Sequence, residues 1–202
     1  MSHLELLEAV WEAVEPGAEP ERFAARRDWL LARVRPGERV LDLGCGEGLF
    51  TAALRDHGAH PIGIDVVEEP LRRGRERDPG LDLRLGTLDG PLVLDDAAVD
   101  VVWAGEVLEH LVDVVGWLGE IRRVLPSGGR LLATTPDHPA ALLRRLADDP
   151  DAFDAHFDPR SDHLRFFTDR SLLALVADLR FEPAVVESDG ETLFLEATRA
   201  RF

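Results

Sequence analysis

The segment Trp103–Leu111, WAGEVLEHL, carries two carboxylates and an imidazole within five residues. If a helical turn begins at Glu106, then Glu106, Glu109 and His110 stand at positions i, i+3 and i+4 and face one direction. Such a group can bind Mg²⁺ or Mn²⁺ when a further ligand or water completes the shell. The alternative is structural: the acids stabilise a helix N-terminus, and His110 forms a hydrogen bond within the fold.

A glycine-rich turn comes earlier in the chain, in the run VLDLGCGEG at 40–48. The apolar residues at 39–43 predict a buried strand. Gly44, Gly46 and Gly48 then allow a sharp turn and a close approach of a ligand to the backbone before a helix begins. A second predicted strand, HPIGID, ends at Asp65, about twenty residues after the first glycine, where an acid can accept hydrogen bonds from a ribose diol. The pattern indicates a nucleoside-bearing cofactor.

The spacing and charge of this turn argue against a dinucleotide. The glycines follow G-x-G-x-G rather than G-x-G-x-x-G, and Asp42 lies where a pyrophosphate would need positive charge. A carboxylate at that position suits a ligand with an ammonium or a sulfonium group. S-Adenosylmethionine carries both groups beside an adenosine.

In these motifs, and in the order of the predicted strands, the chain resembles the class I S-adenosylmethionine-dependent methyltransferases from about residue 39 to the C-terminus. The resemblance implies a Rossmann-like methyltransferase fold. It also implies that Asp42, Gly44, Gly46 and Gly48 hold the methionine end of the cofactor and that Asp65 holds the ribose hydroxyls.

The resemblance extends to the adenine end with one departure. The family commonly has an aspartate directly after the third strand, where this chain has Thr87 after Gly86. We expect Thr87 and Leu88 to contact the adenine, whereas Asp89 is equally well explained as a turn former. Ligands of open α/β sheets bind at the carboxyl ends of strands, and further cofactor contacts are therefore expected from the residues that end the fourth strand, Gly105 and Glu106.

The EVLEH segment resembles that of ubiquinone-pathway O-methyltransferases and the EVIEH of small-RNA 3′-end methyltransferases. In both, the motif is associated with metal-assisted methylation of a hydroxyl. The RNA enzymes also supply a late histidine, which His163 matches. The resemblance therefore implies Glu106, Glu109, His110 and His163 as ligands of Mg²⁺ or Mn²⁺. Glu106, His110 and His163 are the candidate catalytic residues, since either histidine can act as a general base near neutral pH. Other family members carry EVLEH without known metal dependence.

Alternation of apolar strand patterns with helical patterns predicts an α/β fold with a doubly wound, seven-stranded, mostly parallel sheet. The turn pair Asp189-Gly190 predicts that the last two strands form an antiparallel hairpin. The predicted strands lie near residues 39–43, 60–64, 81–86, 98–103, 129–134, 181–187 and 192–198.

The whole chain, 1–202, is expected to form a single class I methyltransferase domain. Helical patterns at 4–15 and 20–34 predict an N-terminal cap over residues 1–35. Arg22 and Arg26 in this cap either reach the methionine carboxylate or lie on a solvated helix face. The family resemblance implies an acceptor-side lid at about 137–168. Its acidic stretch, 148–162, is expected to be a solvated, mobile loop.

Composition and charge restrict the partners. The 202 residues, 45% of them hydrophobic, are enough to bury a substantial core. A net charge of −16 disfavours nucleic acid, because contact with phosphate backbones requires a basic surface. The single cysteine, Cys45, has no partner for a disulfide, and no apolar run approaches the roughly twenty residues of a membrane span. We therefore expect a cytoplasmic protein whose partner is a small-molecule acceptor.

Three functions fit these observations. A methyltransferase that acts on a small molecule, at oxygen, agrees with the cofactor residues and the acidic composition. An RNA 3′-end 2′-O-methyltransferase agrees with the predicted metal ligands but not with the net charge. A non-catalytic S-adenosylmethionine-binding module is the third, because a fold does not fix a function.

Overall fold

A seven-stranded sheet forms the centre of the fold in the computed structural model, which describes residues 3–88 and 90–201. The strands are β1 (Arg39–Leu43), β2 (His60–Asp65), β3 (Leu83–Leu85), β4 (Val101–Gly105), β5 (Arg130–Pro136), β6 (Phe181–Ser188) and β7 (Thr192–Arg199). Their order is β3-β2-β1-β4-β5-β7-β6. All neighbours pair in parallel except β5 with β7 and β6 with β7. The doubly wound sheet and the terminal antiparallel hairpin are thereby confirmed.

Eight α-helices and one short 3₁₀ turn accompany the strands in the described part of the chain, and the first two helices precede β1. The helices are α1 (His3–Ala13), α2 (Phe23–Leu31), α3 (Leu49–Asp56), α4 (Glu68–Arg77), α5 (Val114–Val124), α6 (Ala140–Ala147), α7 (Pro150–His156) and α8 (Asp169–Asp178). The 3₁₀ turn covers Leu108–His110, and so it begins two residues later than the helical turn expected at Glu106. None of the helices in the two described ranges is both long and apolar enough to span a membrane.

Hydrophobic side chains cover both faces of the sheet. In β4, Val102 and Ala104 join a core cluster with α5 and α8, whereas Val101 and Trp103 join a second cluster with α2 and α3. This alternation follows from the two-residue period of a strand. A parallel strand that is buried on both faces reads as a continuous apolar run, as VVWA does here.

Because β1, β2, β4 and β5 run in parallel, their carboxyl ends meet at one edge of the sheet. The residues that end these strands are Leu43, Asp65, Gly105 and Pro136. The glycine-rich turn and the EVLEH segment follow β1 and β4, which are neighbours in the sheet. Two motifs about sixty residues apart in the chain therefore lie side by side.

The segment between β5 and α8 departs from the expectation of a mobile acidic loop. It contains α6 and α7, and the side chain of Asp149 caps α7 by accepting a hydrogen bond from the backbone of Ala152 at 3.1 Å. An N-cap aspartate followed directly by a proline is a strong helix start, which explains why acidic residues form a helix here.

Thr168 caps α8, which packs Leu172 and Val176 into the core. Its hydroxyl accepts a hydrogen bond from the backbone of Ser171 at 3.2 Å, and the Ser171 hydroxyl accepts one from the backbone of Thr168 at 2.9 Å. This reciprocal pair satisfies two backbone donors that a helix N-terminus otherwise leaves unpaired.

We expect Thr168→Ala to lower the free energy of unfolding by about 1 kcal/mol, because the substitution removes the capping acceptor. Thr168→Ser keeps a hydroxyl at the same position and should retain most of the stability. Urea unfolding followed by circular dichroism measures both variants. Equal losses in the two variants would contradict a role for the hydroxyl.

Candidate functional site

A continuous cleft runs along the carboxyl edge of β1, β2 and β4. It consists of three adjoining cavities of about 270, 220 and 740 Å³, which share lining residues such as Leu88, Trp11 and His110. The N-terminal helix α1 forms one wall with an apolar stripe. The members of this stripe that line the cleft are Leu4, Leu7, Val10, Trp11 and, just beyond the helix, Val14. The cleft has the size and the largely apolar lining of a small-molecule site.

The glycine-rich turn after β1 lines the cleft at Gly44 and Gly46. Both residues have positive φ, at 75° and 53°. A Cβ at Gly44 would lie 2.6 Å from Cγ2 of Val107, and a Cβ at Gly46 would lie 2.7 Å from the Trp11 ring. Only glycine fits at these two positions, because a side chain would be both strained and in collision.

Asp65 ends β2 and forms a hydrogen bond with the glycine-rich turn. Its carboxylate accepts hydrogen bonds from the backbone of Gly46 at 2.8 Å and of Val67 at 3.0 Å. The residue lines the cleft and is only 5% exposed. Burial raises the pKa of Asp65, and hydrogen bonds from the backbone of Val67, Gly46 and Val66 oppose this effect. Asp65 therefore lies at the cleft, and its contact with a ribose stays a prediction.

Asp42 and Gly48 belong to the same motif but are not among the described residues that line the cleft. Asp42 lies beneath the turn, is 2% exposed, and accepts a hydrogen bond from the hydroxyl of Thr51 at 2.6 Å. Burial raises the pKa of its carboxyl to about 7, although the bond from Thr51 acts in the opposite direction. A Cβ at Gly48 would meet Leu83 and Leu81 rather than the cleft. The structure brings Gly44, Gly46 and Asp65 to the cleft, with Asp42 and Gly48 behind them.

Thr87 and Leu88 line the end of the cleft that lies beside β2 and β3, together with Val66 and Gly86. This is the position predicted for an adenine contact. Asp89, the alternative considered for the same role, lies outside the described residues.

Glu106 follows β4 in a left-handed backbone conformation, with φ of 58°. A glutamate in this region carries strain, which proteins tend to retain at functional sites. Its carboxylate lies 3.9 Å from Nε of Arg26, a 2% exposed arginine that donates a hydrogen bond to the hydroxyl of Thr134 at 3.1 Å. Burial lowers the pKa of Arg26, and the nearby charge of Glu106 partly offsets that effect. Arg26, Gly105 and Glu106 all line the cleft.

Three further predicted residues converge on the 3₁₀ turn. Glu109, His110 and His163 each offer a ligand atom, and these atoms all lie within 4.8 Å of one another. The His110 and His163 rings meet edge to face with centroids 4.9 Å apart. Glu106 is not a member of this group, because the turn begins at Leu108 and leaves it beside Arg26.

Glu109 is a buried acid with one free oxygen. It is 1% exposed, and its Oε2 accepts a hydrogen bond from the hydroxyl of Thr135 at 2.9 Å. Its Oε1 has no hydrogen-bond partner among the described residues and lies 3.8 Å from Nε2 of His110. Burial and the charge of Glu106 raise the pKa of Glu109. A buried, unpaired carboxylate oxygen is costly unless a cation or a donor reaches it.

A comparison with protein-family models matches residues 17–185 to a methyltransferase domain. This match covers most of the chain. The chain belongs to the methyltransferase domain family.

Two curated relatives illustrate the similarity of this methyltransferase domain at the sequence level. A probable S-adenosylmethionine-dependent methyltransferase of Mycolicibacterium smegmatis is 38% identical over 62% of the chain and 50% of its own length. A ubiquinone biosynthesis O-methyltransferase of Hahella chejuensis is 36% identical over 50% of the chain and 44% of its own length. The chain thus matches about half the length of these relatives.

A solved structure supports the fold over the entire length. Geranyl diphosphate C-methyltransferase of Streptomyces coelicolor A3(2), in complex with Mg²⁺, geranyl diphosphate and S-adenosyl-L-homocysteine, superposes with a TM-score of 0.70. The alignment covers 99% of both chains at 18% identity, a level at which it establishes the fold alone.

Several residues of this methyltransferase domain's cleft have no signal in the sequence. Trp11 belongs to an apolar helical stripe, which predicts a buried face but not what that face covers. Thr51 donates a hydrogen bond to Asp42 and Thr135 donates one to Glu109, and both come from other elements of the fold.

Of the two arginines considered for the cap, Arg26 lines the cleft. Arg22 instead pairs with Asp189 and Glu191 on the β6–β7 turn.

The pKa of Asp42 gives this methyltransferase domain a distinct dependence of stability on pH. In the unfolded chain an aspartate has a pKa near ~3.9, so the folded chain retains a proton that the unfolded chain releases between that value and about 7. The contribution of Asp42 to stability is therefore present at low pH and declines as the pH rises through this window.

We expect the stability of Asp42→Asn relative to the wild type to increase by roughly 2–3 kcal/mol between pH 5 and pH 7, since one pKa unit corresponds to about 1.4 kcal/mol. The amide has no charge to bury and can still accept a bond from Thr51. Urea unfolding of the cofactor-free protein at several pH values measures the difference. Parallel pH profiles for the two proteins would contradict a raised pKa at Asp42.

Proposed function

We propose that this protein is an S-adenosylmethionine-dependent methyltransferase that methylates a hydroxyl of a small molecule with the help of a divalent cation. The observation that carries the proposal is the group formed by Glu109, His110 and His163 at the wall of the cleft. Family membership supports methyl transfer, and the similarity to a ubiquinone biosynthesis O-methyltransferase supports oxygen as the acceptor atom.

The residues of the cleft fit S-adenosylmethionine. Gly44 and Gly46 line the cleft and would contact the methionine end through their backbone, and Arg26 offers a buried cation for its carboxylate. Glu106, strained and with one oxygen unbonded within the described chain, suits the ammonium or sulfonium charge. Asp65 would hold the ribose hydroxyls, with Thr87 and Leu88 against the adenine. Asp42 and Gly48 would act indirectly, by shaping the turn.

The same charges argue for a cationic cofactor. Asp65, Glu106 and Glu109 all line the cleft, and Arg26 is the only permanent cation among the described residues that line it. A low local dielectric strengthens the attraction between these acids and a sulfonium. A pyrophosphate in the same place would be repelled.

Methyl transfer to a hydroxyl is a displacement in line with the leaving sulfur. The acceptor oxygen bonds to the methyl carbon as the carbon–sulfur bond breaks, the sulfur leaves as the neutral thioether of S-adenosylhomocysteine, and the hydroxyl proton must go to a base. The leaving group is already activated, so the enzyme chiefly positions the acceptor and removes this proton. Without a bound cation, His110 or His163 at the cleft wall would accept this proton.

A divalent cation fits beside these histidines. Glu109 supplies a buried oxygen that lacks a hydrogen-bond partner in the described ranges, and the two imidazoles supply nitrogens. A bound Mg²⁺ or Mn²⁺ would lower the pKa of the acceptor hydroxyl, so that its proton passes to water while the two imidazoles serve as ligands rather than as bases. Thr135 orients Glu109 through its second oxygen, in the manner of an outer-shell partner.

We expect Asp65→Ala to weaken the binding of S-adenosylmethionine and S-adenosylhomocysteine by about 100-fold. The substitution removes the charged group that is proposed to accept two hydrogen bonds from the ribose hydroxyls. Isothermal titration calorimetry measures the affinity. Asp82→Ala, at an exposed position before β3, is the matched control and should bind like the wild type. If the wild-type protein bound neither nucleoside, the proposal of a methyltransferase activity would fail.

Removal of a cation ligand should weaken the binding of the cation and lower the turnover of the acceptor, while the affinity for the cofactor is retained. We expect His163→Ala to weaken Mn²⁺ binding by at least about tenfold, because one ligand is lost, with S-adenosylhomocysteine affinity changed less than about twofold. Electron paramagnetic resonance reports Mn²⁺ binding. His60→Ala, an exposed histidine at the start of β2, is the control.

The activity is tested by release of S-adenosylhomocysteine with a panel of small phenols, catechols and alcohols, in the presence of Mn²⁺ or of EDTA. Turnover that EDTA abolishes and His163→Ala reduces supports the proposal. Turnover that EDTA leaves unchanged would refute the proposed role of the cation. Tight cofactor binding without turnover on any acceptor would favour a non-catalytic binding module instead.

A further inference from the structure

The segment Asp162–Phe167, here called the strap, carries His163 to the cleft from a distant part of the chain. It lies between the 3₁₀ turn after β4 and the end of β5. On the β5 side, the backbone of His138 donates a hydrogen bond to the carbonyl of Phe167 at 3.1 Å, and Asp137 forms a parallel bridge with Phe167. On the other side, the strap meets the turn that bears Glu109 and His110.

Three sets of contacts hold the strap to that turn. The carbonyl of Glu109 accepts hydrogen bonds from the backbone of Leu164 at 2.7 Å and of Arg165 at 3.1 Å. The ring of His110 contacts the carbonyl of Asp162 through Nδ1 at 3.0 Å. The third set comes from the side chain of Arg165.

The guanidinium of Arg165 reaches back across the strap to the chain that follows the 3₁₀ turn. Its Nε donates a hydrogen bond to the carbonyl of Leu111 at 2.9 Å, and its Nη2 donates one to the carbonyl of Val112 at 2.5 Å. An arginine holds two adjacent carbonyls in one rigid geometry, because its donors are fixed in a plane. These two bonds join the strap to the chain after the turn through a side chain outside the proposed ligand group.

We propose that Arg165 is a positioning residue, which fixes the strap so that His163 stands against His110 and Glu109. The inference deepens the function proposed above and rests on it for what the three residues do once assembled. Arg165 itself touches neither the cofactor nor the acceptor in this role. It acts through the carbonyls of Leu111 and Val112, which follow directly on the turn.

The contacts of His163 itself explain why such a residue is needed. Its backbone nitrogen donates to the hydroxyl of Ser161, two residues away at 3.1 Å, which is a local contact that does not reach the turn. Its ring meets His110 edge to face, an interaction that requires the strap to be in place already. A shift of about 1 Å in the strap would separate ligand atoms that now lie within 4.8 Å.

The chain offers a matched control for Arg165. Arg160 lies five residues earlier in the same lid, and its side chain is 87% exposed. The hydrogen bonds recorded for it run only to Asp158, two residues away. Arg160→Gln therefore makes the same change of charge and size as Arg165→Gln but removes no bond between strap and turn.

The first readout is independent of cation, cofactor and turnover. In the wild-type background, His163→Ala should shift the NMR signals of the His110 ring, because the two centroids are 4.9 Å apart. We expect the same substitution to shift the His110 signals much less in the Arg165→Gln background. In the Arg160→Gln background the full shift should remain. An undiminished shift in Arg165→Gln would overturn the proposal.

The second readout separates positioning from a general loss of structure. Arg165→Gln should weaken Mn²⁺ binding by roughly tenfold, the loss expected for a charge-assisted pair of hydrogen bonds, with S-adenosylhomocysteine affinity unchanged. Arg165→Lys, which can still reach one carbonyl, should recover part of the Mn²⁺ affinity. Equal weakening of cofactor and cation would indicate a structural role and overturn the proposal. If the wild type bound no Mn²⁺, the function proposed above would fail, while the histidine signals would still decide the role of Arg165.

Discussion

Parallel pairing of β1 with β2 and β4, and of β4 with β5, is the constraint on which the rest of the site depends. It brings the carboxyl ends of four strands to one edge, and the cleft forms there. The glycine-rich turn, Asp65, the EVLEH segment and Thr135 come from separate stretches of the chain, and each would be isolated without this edge. Burial of the sheet on both faces fixes the register, because a slip of one residue would turn Trp103 and its neighbours to the wrong core.

The site is also organised by buried acidic groups. Asp42, Asp65 and Glu109 are each 5% exposed or less, and burial raises the pKa of all three carboxyls. Such an arrangement costs free energy of folding, and proteins retain it where a ligand recovers the cost. One buried cation, Arg26, lies among these acids. Buried acidic groups therefore outnumber the buried cation at this edge of the sheet.

The N-terminal helix completes the cleft from outside the sheet. It is tied to the body of the fold near its end, where Arg73 donates to the carbonyl of Val14 at 2.8 Å and Glu47 accepts from the backbone of Gly17 at 2.9 Å. Trp11 thereby packs directly against Gly46. Gly46 leaves room for this ring because it has no side chain. This contact between Trp11 and Gly46 joins α1 to the glycine-rich turn.

The sequence by itself determined the class of fold, the strand order along the chain and the terminal hairpin, because each follows from local periodicity and turn chemistry. It also identified Gly44, Gly46, Asp65 and the EVLEH residues as candidates, since their spacing is characteristic. Tertiary structure alone decided which of these meet. It separated Glu106 from Glu109 and His110 through a left-handed backbone and a later turn. It joined His163 to them through a strap held by long-range hydrogen bonds, which leave no periodic trace in a sequence because their partners lie more than fifty residues apart.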